Sequence, residues 1–459
     1  MKKDVLPLDL PSEGIFMWEQ PGFPQTDYGA FQMRGPCDIE ALKEAFAEAQ
    51  EEKPTFHAHL MERRCGLVYQ KYWHVRGEPA ELTIIDKRDP PKLPDDFEAW
   101  VHVQMREEIM RGQNLREEYA VKFKLYLLPQ KYQILLFMFH HVVTDGGGLY
   151  DFLREAFRLY HIKTKNREPD WANAPAIHAQ SRAQTIDPIN SFRFFLRAYR
   201  ANIEHPMKNV GQLAGTPERE NGRSMIRCII EDPKEQKAFR DRARADGGSL
   251  SDLFMAASKL AMQDFNDSQG VSTEILAHGL AVNMRGRLPA HEIRDMGNPM
   301  SGIVIASDRG ERRDPVALLR LIAQRRRQIL SEGYDIAMSR MLQSISKATR
   351  ILPAKYRHPL MRLLLDWQIS FFLTNLGVVW PRMENGRPTG ETAVKRVGDM
   401  ELVDVHSSVG PTENNGLALI LRTFMGRFYC VFAVGLNKIS ENDARVFSKL
   451  VMKKARGYL

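Results

Sequence analysis

Between residues 121 and 160 the hydrophobic pattern changes period twice. Val121, Phe123, Leu125 and Leu127 alternate with Lys122, Lys124, Tyr126 and Leu128, mostly the period of two expected of a half-buried strand. Pro129-Gln130-Lys131 reads as a turn. Ile134 to Phe139 is then an unbroken apolar run, too short for an ordinary helix and suited to a strand covered on both faces. Beyond it Leu149, Phe152, Leu153, Ala156, Phe157 and Tyr160 recur at helical spacing. The segment His140-His141-Val142-Val143-Thr144-Asp145-Gly146 therefore lies where a buried strand ends, and Gly146-Gly147-Gly148 is expected to form the turn into the helix.

The same reading extends along the chain. Ile39, Leu42, Phe46 and Ala49 make a helical stripe behind Asp38, a suitable N-cap. Ser249-Leu250-Ser251-Asp252 opens a helix carrying Leu253, Phe254, Ala257 and Leu260 in the manner of a capping box. Leu417 to Met425 and Phe428 to Val434 read as strands around Gly426-Arg427, and Ser440 caps a helix with Ala444, Phe447, Leu450 and Val451. Tyr356 to Phe372 is the most apolar helical stretch. Core packing is its default reading, and an acyl-chain wall or a membrane-touching face the sharper alternative. Strands and helices alternate in both halves. Between the halves, Lys163 to Asn190 is polar and carries Pro169, Pro175 and Pro188, as a linker should, and an aromatic and basic helix from Ser191 to His205 follows. This predicts an N-terminal lobe over 1–165, a linker and bridging helix over 166–209, and a C-terminal lobe over 210–459.

The chemistry concentrates at the strand end. Adjacent histidines on an extended backbone point to opposite faces, so only one of His140 and His141 serves a given cavity and the other is structural. Asp145 either bonds the ring directly or holds the loop by pairing with a distant arginine. A metal site is not expected, because neighbouring strand histidines cannot share an ion and no CxxC or HxxxH accompanies them. The triple glycine lacks the following Lys-Ser/Thr of a phosphate-binding loop. What remains is an imidazole able to accept a proton near neutral pH.

The strand, the HHxxxDG segment and the helix ending in Tyr160 together resemble one superfamily. It includes chloramphenicol acetyltransferase, peptide-synthetase condensation domains, wax ester synthases, alcohol acetyltransferases and mycobacterial polyketide-associated acyltransferases. Ala30 to Gly35 followed by Asp38 to Leu42 resembles its opening strand and helix, and Ile275 to Asn283 its second long strand. Met284-Arg285-Gly286-Arg287 is similar to the segment whose arginine pairs with the motif aspartate, Arg285 being the better match and Arg287 the runner-up. Met296-Gly297-Asn298 matches the next glycine-asparagine turn, and Thr374-Asn375-Leu376-Gly377 resembles the Ser/Thr-Asn-x-Gly strand. The resemblance spans roughly residues 10 to 455.

It implies an α/β (α+β) fold of two chloramphenicol acetyltransferase-like lobes, each a mixed sheet with helices, forming a tunnel at their interface. It also implies transfer of an acyl group from a thioester to a hydroxyl acceptor (lipid, sugar or alkyl alcohol). His141 is then the general base, Asp145 and Gly146 hold the loop, Arg285 partners Asp145, His140 is the second motif histidine, and Thr374 or Asn375 supports the oxyanion. No cofactor is expected to stay bound. Acyl-CoA or an acyl-phosphopantetheine carrier protein would be the co-substrate. There is no DFGWG, and the Ser-Asn-x-Pro-Gly pattern of wax ester synthases is absent at 374–377, so a free-standing O-acyltransferase fits best. A stand-alone condensation enzyme forming amides, a wax ester or diacylglycerol synthase, and a non-catalytic scaffold are the other readings.

Composition narrows this little. The 459 residues are 43% hydrophobic, enough for sizeable cores. Cys37, Cys65, Cys228 and Cys430 are scattered without metal spacing, as in reduced cytoplasmic enzymes. Lys2 and Lys3 precede no apolar segment of a signal peptide. A net charge of +8 favours anionic partners in general. The clusters Arg193 to Arg200 and Arg325-Arg326-Arg327 read as solvated helix faces, with coenzyme A phosphates or a peripheral membrane surface as functional alternatives. Nucleic acid is not expected, since no binding motif accompanies the charge.

Overall fold

The computed structural model describes residues 5–19, 25–89, 92–94, 96–110, 112–173, 210–218, 222–289, 297–353, 356–357, 359, 369–385, 387–410 and 416–459. The alternating and continuous apolar segments of the first half form β6 (Val121–Leu127) and β7 (Tyr132–His140), an antiparallel pair. On the other side of β7 lies β2 (Thr26–Arg34), buried at every position but Arg34. β5 (Leu82–Asp86) joins β6 in parallel and closes one edge.

The other edge comes from far along the chain. β15 (Met400–Ser408) pairs antiparallel with β2, placing Val405 opposite Phe31 and His406 opposite Ala30, and β14 (Arg396–Val397) follows outside it. The sheet order is thus β14-β15-β2-β7-β6-β5. Residues 396–408 therefore complete the sheet of the first lobe although they follow residue 210.

Helices α2 (Ile39–Gln50) and α4 (Gly146–Lys165) pack together over this sheet. Their apolar stripes meet it through Phe46, Phe123 and Phe152, whose rings lie 5.0 to 6.0 Å apart. The centre of the core is Phe31, stacked on Trp380 at 5.2 Å. Asp38 caps α2 by accepting from the Ala41 amide, as its position ahead of the stripe predicts. The three glycines differ from expectation. They form the first turn of α4 instead of a turn before it, because Asp145 satisfies the free amide of Gly148 and the helix starts at Gly146.

The second lobe holds β8 (Arg223–Ile230), β9 (Ile275–Asn283), β10 (Met300–Asp308), β11 (Phe371–Val378), β16 (Leu417–Phe424) and β17 (Arg427–Gly435). Their order is β10-β9-β11-β16-β17-β8, with β11 parallel to both neighbours and the other pairs antiparallel, so this sheet too is mixed. Over it lie α6 (Leu250–Ser268) and α9 (Glu441–Arg456), preceded by α5 (Pro233–Ala245). The capping box at Ser249 and Asp252 is present, and Phe447 of α9 packs on Phe265, Phe371 and Phe432. Lys259 of α6 is fully buried and donates to the carbonyls of Leu276 and Ile305, which ties the helix to the sheet and compensates its desolvation.

Polar side chains weld the lobes. Arg227 of β8 donates to Asp404 of β15 at 2.8 Å, and the Tyr429 hydroxyl donates to the same carboxylate at 2.6 Å. The bridging helix expected from Ser191 to His205 and most of the stretch from Tyr356 to Phe372 lie outside the described residues. Among the described residues no helix is long and apolar enough to cross a membrane.

Candidate active site

The register of β2 against β7 builds the site. Thr26 lies opposite His140 and Asp27 opposite Phe139, and the His141 amide donates to the Gln25 carbonyl at 2.8 Å, extending the ladder one residue past the strand. The chain then turns through 141–143 and meets α4 at its N-cap, Asp145. Tight contact fixes this turn from outside. A side chain at Gly297 would put its Cβ 2.8 Å from the Val142 carbonyl, so only glycine lets the 297–298 turn lie against it. That contact delivers Asn298 to His141.

The two histidines go separate ways. His140 is fully buried, accepts from the Val142 amide at Nδ1, and places Nε2 3.3 Å from Glu19. His141 turns to the opposite side. Its Nε2 lies 2.8 Å from Asp27 Oδ2, and its Nδ1 2.9 Å from Asn298 Nδ2. Asn298 Nδ2 also donates to the His141 carbonyl at 2.9 Å, which fixes which end of the amide is the nitrogen, since a carbonyl only accepts. Burial opposes a charge on the His141 ring, but the Asp27 carboxylate and its hydrogen bond, the charge of Asp145 and the Thr144 carbonyl outweigh it. The ring therefore titrates above the ordinary imidazole value.

Asp145 acts on the ring through its charge. It receives a two-pronged bond from Arg285, NH1 to Oδ2 at 2.6 Å and NH2 to Oδ1 at 3.0 Å, while Oδ1 also accepts from the Gly148 amide at 2.7 Å. Arg287 goes elsewhere, to a buried pair with Asp335 at 2.6 and 2.7 Å. Gly146 stands on the cavity wall at the start of α4.

Between the two sheets lies a cavity of about 410 Å³. Phe137 and Phe139 from β7, Phe372 from β11 and Ala418 and Ile420 from β16 make it largely apolar. Asp27, His141 and Asp145 are the ionisable side chains of acidic or imidazole type on its wall, and among the described lining residues there is no lysine or arginine. Thr374 and Asn375 line the opposite wall on β11, where a bulge at Asn375 and a positive φ of 68° at Gly377 turn the strand. Asn375 is already engaged, donating to Ser251 and accepting from the Gly377 amide. The Thr374 hydroxyl makes no hydrogen bond to another described residue, and the residue lines the cavity.

The structure thus brings His141, Asp145, Gly146, Thr374 and Asn375 around one space, with Arg285 joined to it through Asp145, and sets His140 behind it. Two residues in direct contact with His141 had no role in the sequence reading. Asn298 stood there only as part of a turn. Asp27 carried one signal, a carboxylate inside a strand with no other charge before Arg34. A second cluster, Glu98, His102 and His406, has donor atoms within 4.8 Å of one another. Arg227 NH1 stands 2.9 Å from both Glu98 and His406, so the guanidinium already occupies the place of a cation.

Two lobes of mixed sheet with an HHxxxDG turn at the cavity between them define a protein of the condensation and chloramphenicol acetyltransferase type. The condensation-domain model matches residues 4–280, more than half of the chain, and the chain belongs to that family. It is 24% identical over 186 residues, 39% of its length, to the probable non-canonical nonribosomal peptide synthetase CymA of Salinispora arenicola. The chain spans only 1 to 5% of the length of the curated relatives it matches. The structure of TRI3 trichothecene 15-O-acetyltransferase from Fusarium sporotrichioides aligns over 99% of this chain and 95% of its own, with a TM-score of 0.70 and 13% identity. The first condensation domain of the calcium-dependent antibiotic synthetase aligns over 99% and 96%, with a TM-score of 0.68 and 14% identity. At such identities the likeness is one of fold.

Proposed function

We propose that the protein transfers an acyl group from a thioester, either acyl-CoA or an acyl carrier protein, to a hydroxyl acceptor, with His141 as general base. The observation that carries this reading is the His141 imidazole on the wall of an apolar cavity enclosed by both lobes. An alcohol near pH 7 is a poor nucleophile, and a base that takes its proton as the bond forms contributes about 10² to 10⁴ in rate. The apolar walls suit an acyl chain and keep water from the thioester. The carbonyl oxygen becomes an oxyanion in the tetrahedral intermediate, and the Thr374 hydroxyl is the donor suited to receive it.

The test is incubation of the protein with acyl-CoA of graded chain length, and with acyl-loaded carrier proteins, against a panel of alcohols. Free thiol release and product mass are followed together. Acceptor-dependent thiol release with ester formation is expected, whereas release without acceptor dependence would leave only thioester hydrolysis. Membership of the condensation-domain family favours a second reading, amide formation on a carrier-bound amine, and amine acceptors in the same panel decide between them. If Thr374 serves the oxyanion, Thr374→Val should lower kcat by about 10- to 100-fold with little change in KM. Asn375→Ala should lower it far less, because its amide is already spent on Ser251.

A further inference from the structure

We propose that Phe372 is a specificity-determining residue, the stop that limits the acyl group in the cavity to a short chain. This rests on the acyl-transfer reading above and names the class of acyl group it takes. Phe372 lies on β11 two residues before Thr374, and the bulge of the strand comes only after Thr374, at Asn375 to Gly377. Both side chains therefore project from one face of the strand, and both line the cavity.

Strand register makes the ring stand out from that face. Phe372 pairs with Gly279 on β9 and with Ala418 on β16, so its two lateral neighbours are among the smallest residues. A side chain at Gly279 would put its Cβ 2.9 Å from Phe372 Cδ2, so the ring lies directly over the glycine. Ile369 comes within 3.4 Å of the same point and lines the cavity beside the ring. Among the cavity-lining residues of β9, β11 and β16, Phe372 is the largest.

The motif turn faces the other end of β11. Leu376 Cδ2 lies 3.5 Å from where a Gly146 Cβ would stand, and Arg285, just after β9, holds Asp145. Polar groups gather at that end, in Asp145, Thr374 and Asn375, whereas Ile369, Phe372 and Ala418 make the Phe372 end apolar. An acyl group with its carbonyl at Thr374 is thus favoured to lay its tail toward Phe372. Two residues of strand advance about 7 Å and a carbon–carbon bond is ~1.5 Å, so the tail meets the ring after roughly four to six carbons. A longer chain must displace a ring already packed against Ile369 and the Gly279 backbone.

The experiment measures kcat/KM of the 459-residue chain for thioesters from acetyl to palmitoyl, and its affinity for the matching acyl-pantetheine thioethers, which cannot be cleaved. The wild-type protein should lose at least about 10-fold between hexanoyl and dodecanoyl. In Phe372→Ala the limit should move to longer chains, because Gly279 and Ala418 have no side chain long enough to fill the space, and dodecanoyl should gain at least about 10-fold relative to acetyl. Gly279→Ala pushes the ring into the cavity and should shift the limit the opposite way, toward acetyl. Should Phe372→Ala not fold, Phe372→Leu should show a smaller shift in the same direction. Palmitoyl accepted as well as acetyl by the wild-type protein, or one length profile shared by wild type and the Phe372 variants, overturns the stop and leaves acyl transfer standing. A changed acceptor profile with an unchanged acyl profile also overturns it. If no thioester is transferred but the thioethers bind with a limit that moves in Phe372→Ala, the stop stands and the acyl-transfer reading falls. Neither transfer nor binding overturns both.

Discussion

His141→Ala is expected to lower acyl transfer by about 10² to 10⁴-fold, measured as acceptor-dependent thiol release. The substitution removes the imidazole from the cavity wall, and among the described lining residues there is no other histidine and no lysine to replace it. The effect should fall on kcat more than KM, since the apolar walls that bind the acyl chain are untouched. Stability should also fall, by about 1 to 3 kcal/mol, because Asp27 loses the ring and keeps only the Gly410 amide. His141→Gln separates the two consequences. Glutamine offers a side-chain amide to Asp27 but no proton acceptor of near-neutral pKa, so stability should partly return while transfer stays lost. Transfer within twofold of wild type in His141→Ala would remove His141 as the base.

What could be read from the chain, and what could not, divides along physical lines. Periods of two and 3.6 are local properties, and they located β7, α4, α2 and α9 closely. The helix stripe ending at Tyr160 even marks the face that packs inward, since Leu149, Phe152, Leu153, Ala156, Phe157 and Tyr160 are all buried. Strand pairing is not local. That β15 leaves the second half to pair with β2 depends on matching Val405 to Phe31, and no pattern within either segment announces it. The same holds for Asp27, which meets His141 because of a register between β2 and β7. The glycines at 146–148 were misplaced for a different reason. Glycine is a weak helix former, yet an aspartate cap and the contact of Gly148 with Thr144, where a Cβ would lie 2.4 Å from Oγ1, outweigh that preference.

Asp145→Ala is expected to cost about 4 kcal/mol of stability by equilibrium urea denaturation, the largest loss among the site substitutions. Two interactions end together. Breaking a buried ion pair by removing one partner typically costs ~3 to 5 kcal/mol, and the lower end applies here because the Arg285 side chain is 22% exposed and regains some hydration. Loss of the N-cap at Gly148 adds about 1 kcal/mol. Asp145→Asn tests the division, since it keeps an oxygen for the Gly148 amide while ending the charge pair, and should cost about 3 kcal/mol. Arg285→Ala leaves Asp145 buried but still bonded to that amide. Adding it to Asp145→Ala should therefore cost less than the two changes separately, because each ends the same pair. Transfer should fall in all three variants, because the turn carrying His141 runs directly into the Asp145 cap. Asp145→Ala within about 1 kcal/mol of wild type, below the usual cost of a broken buried pair, would show instead that the ion pair between the segment after β9 and the cap of α4 does not hold the turn.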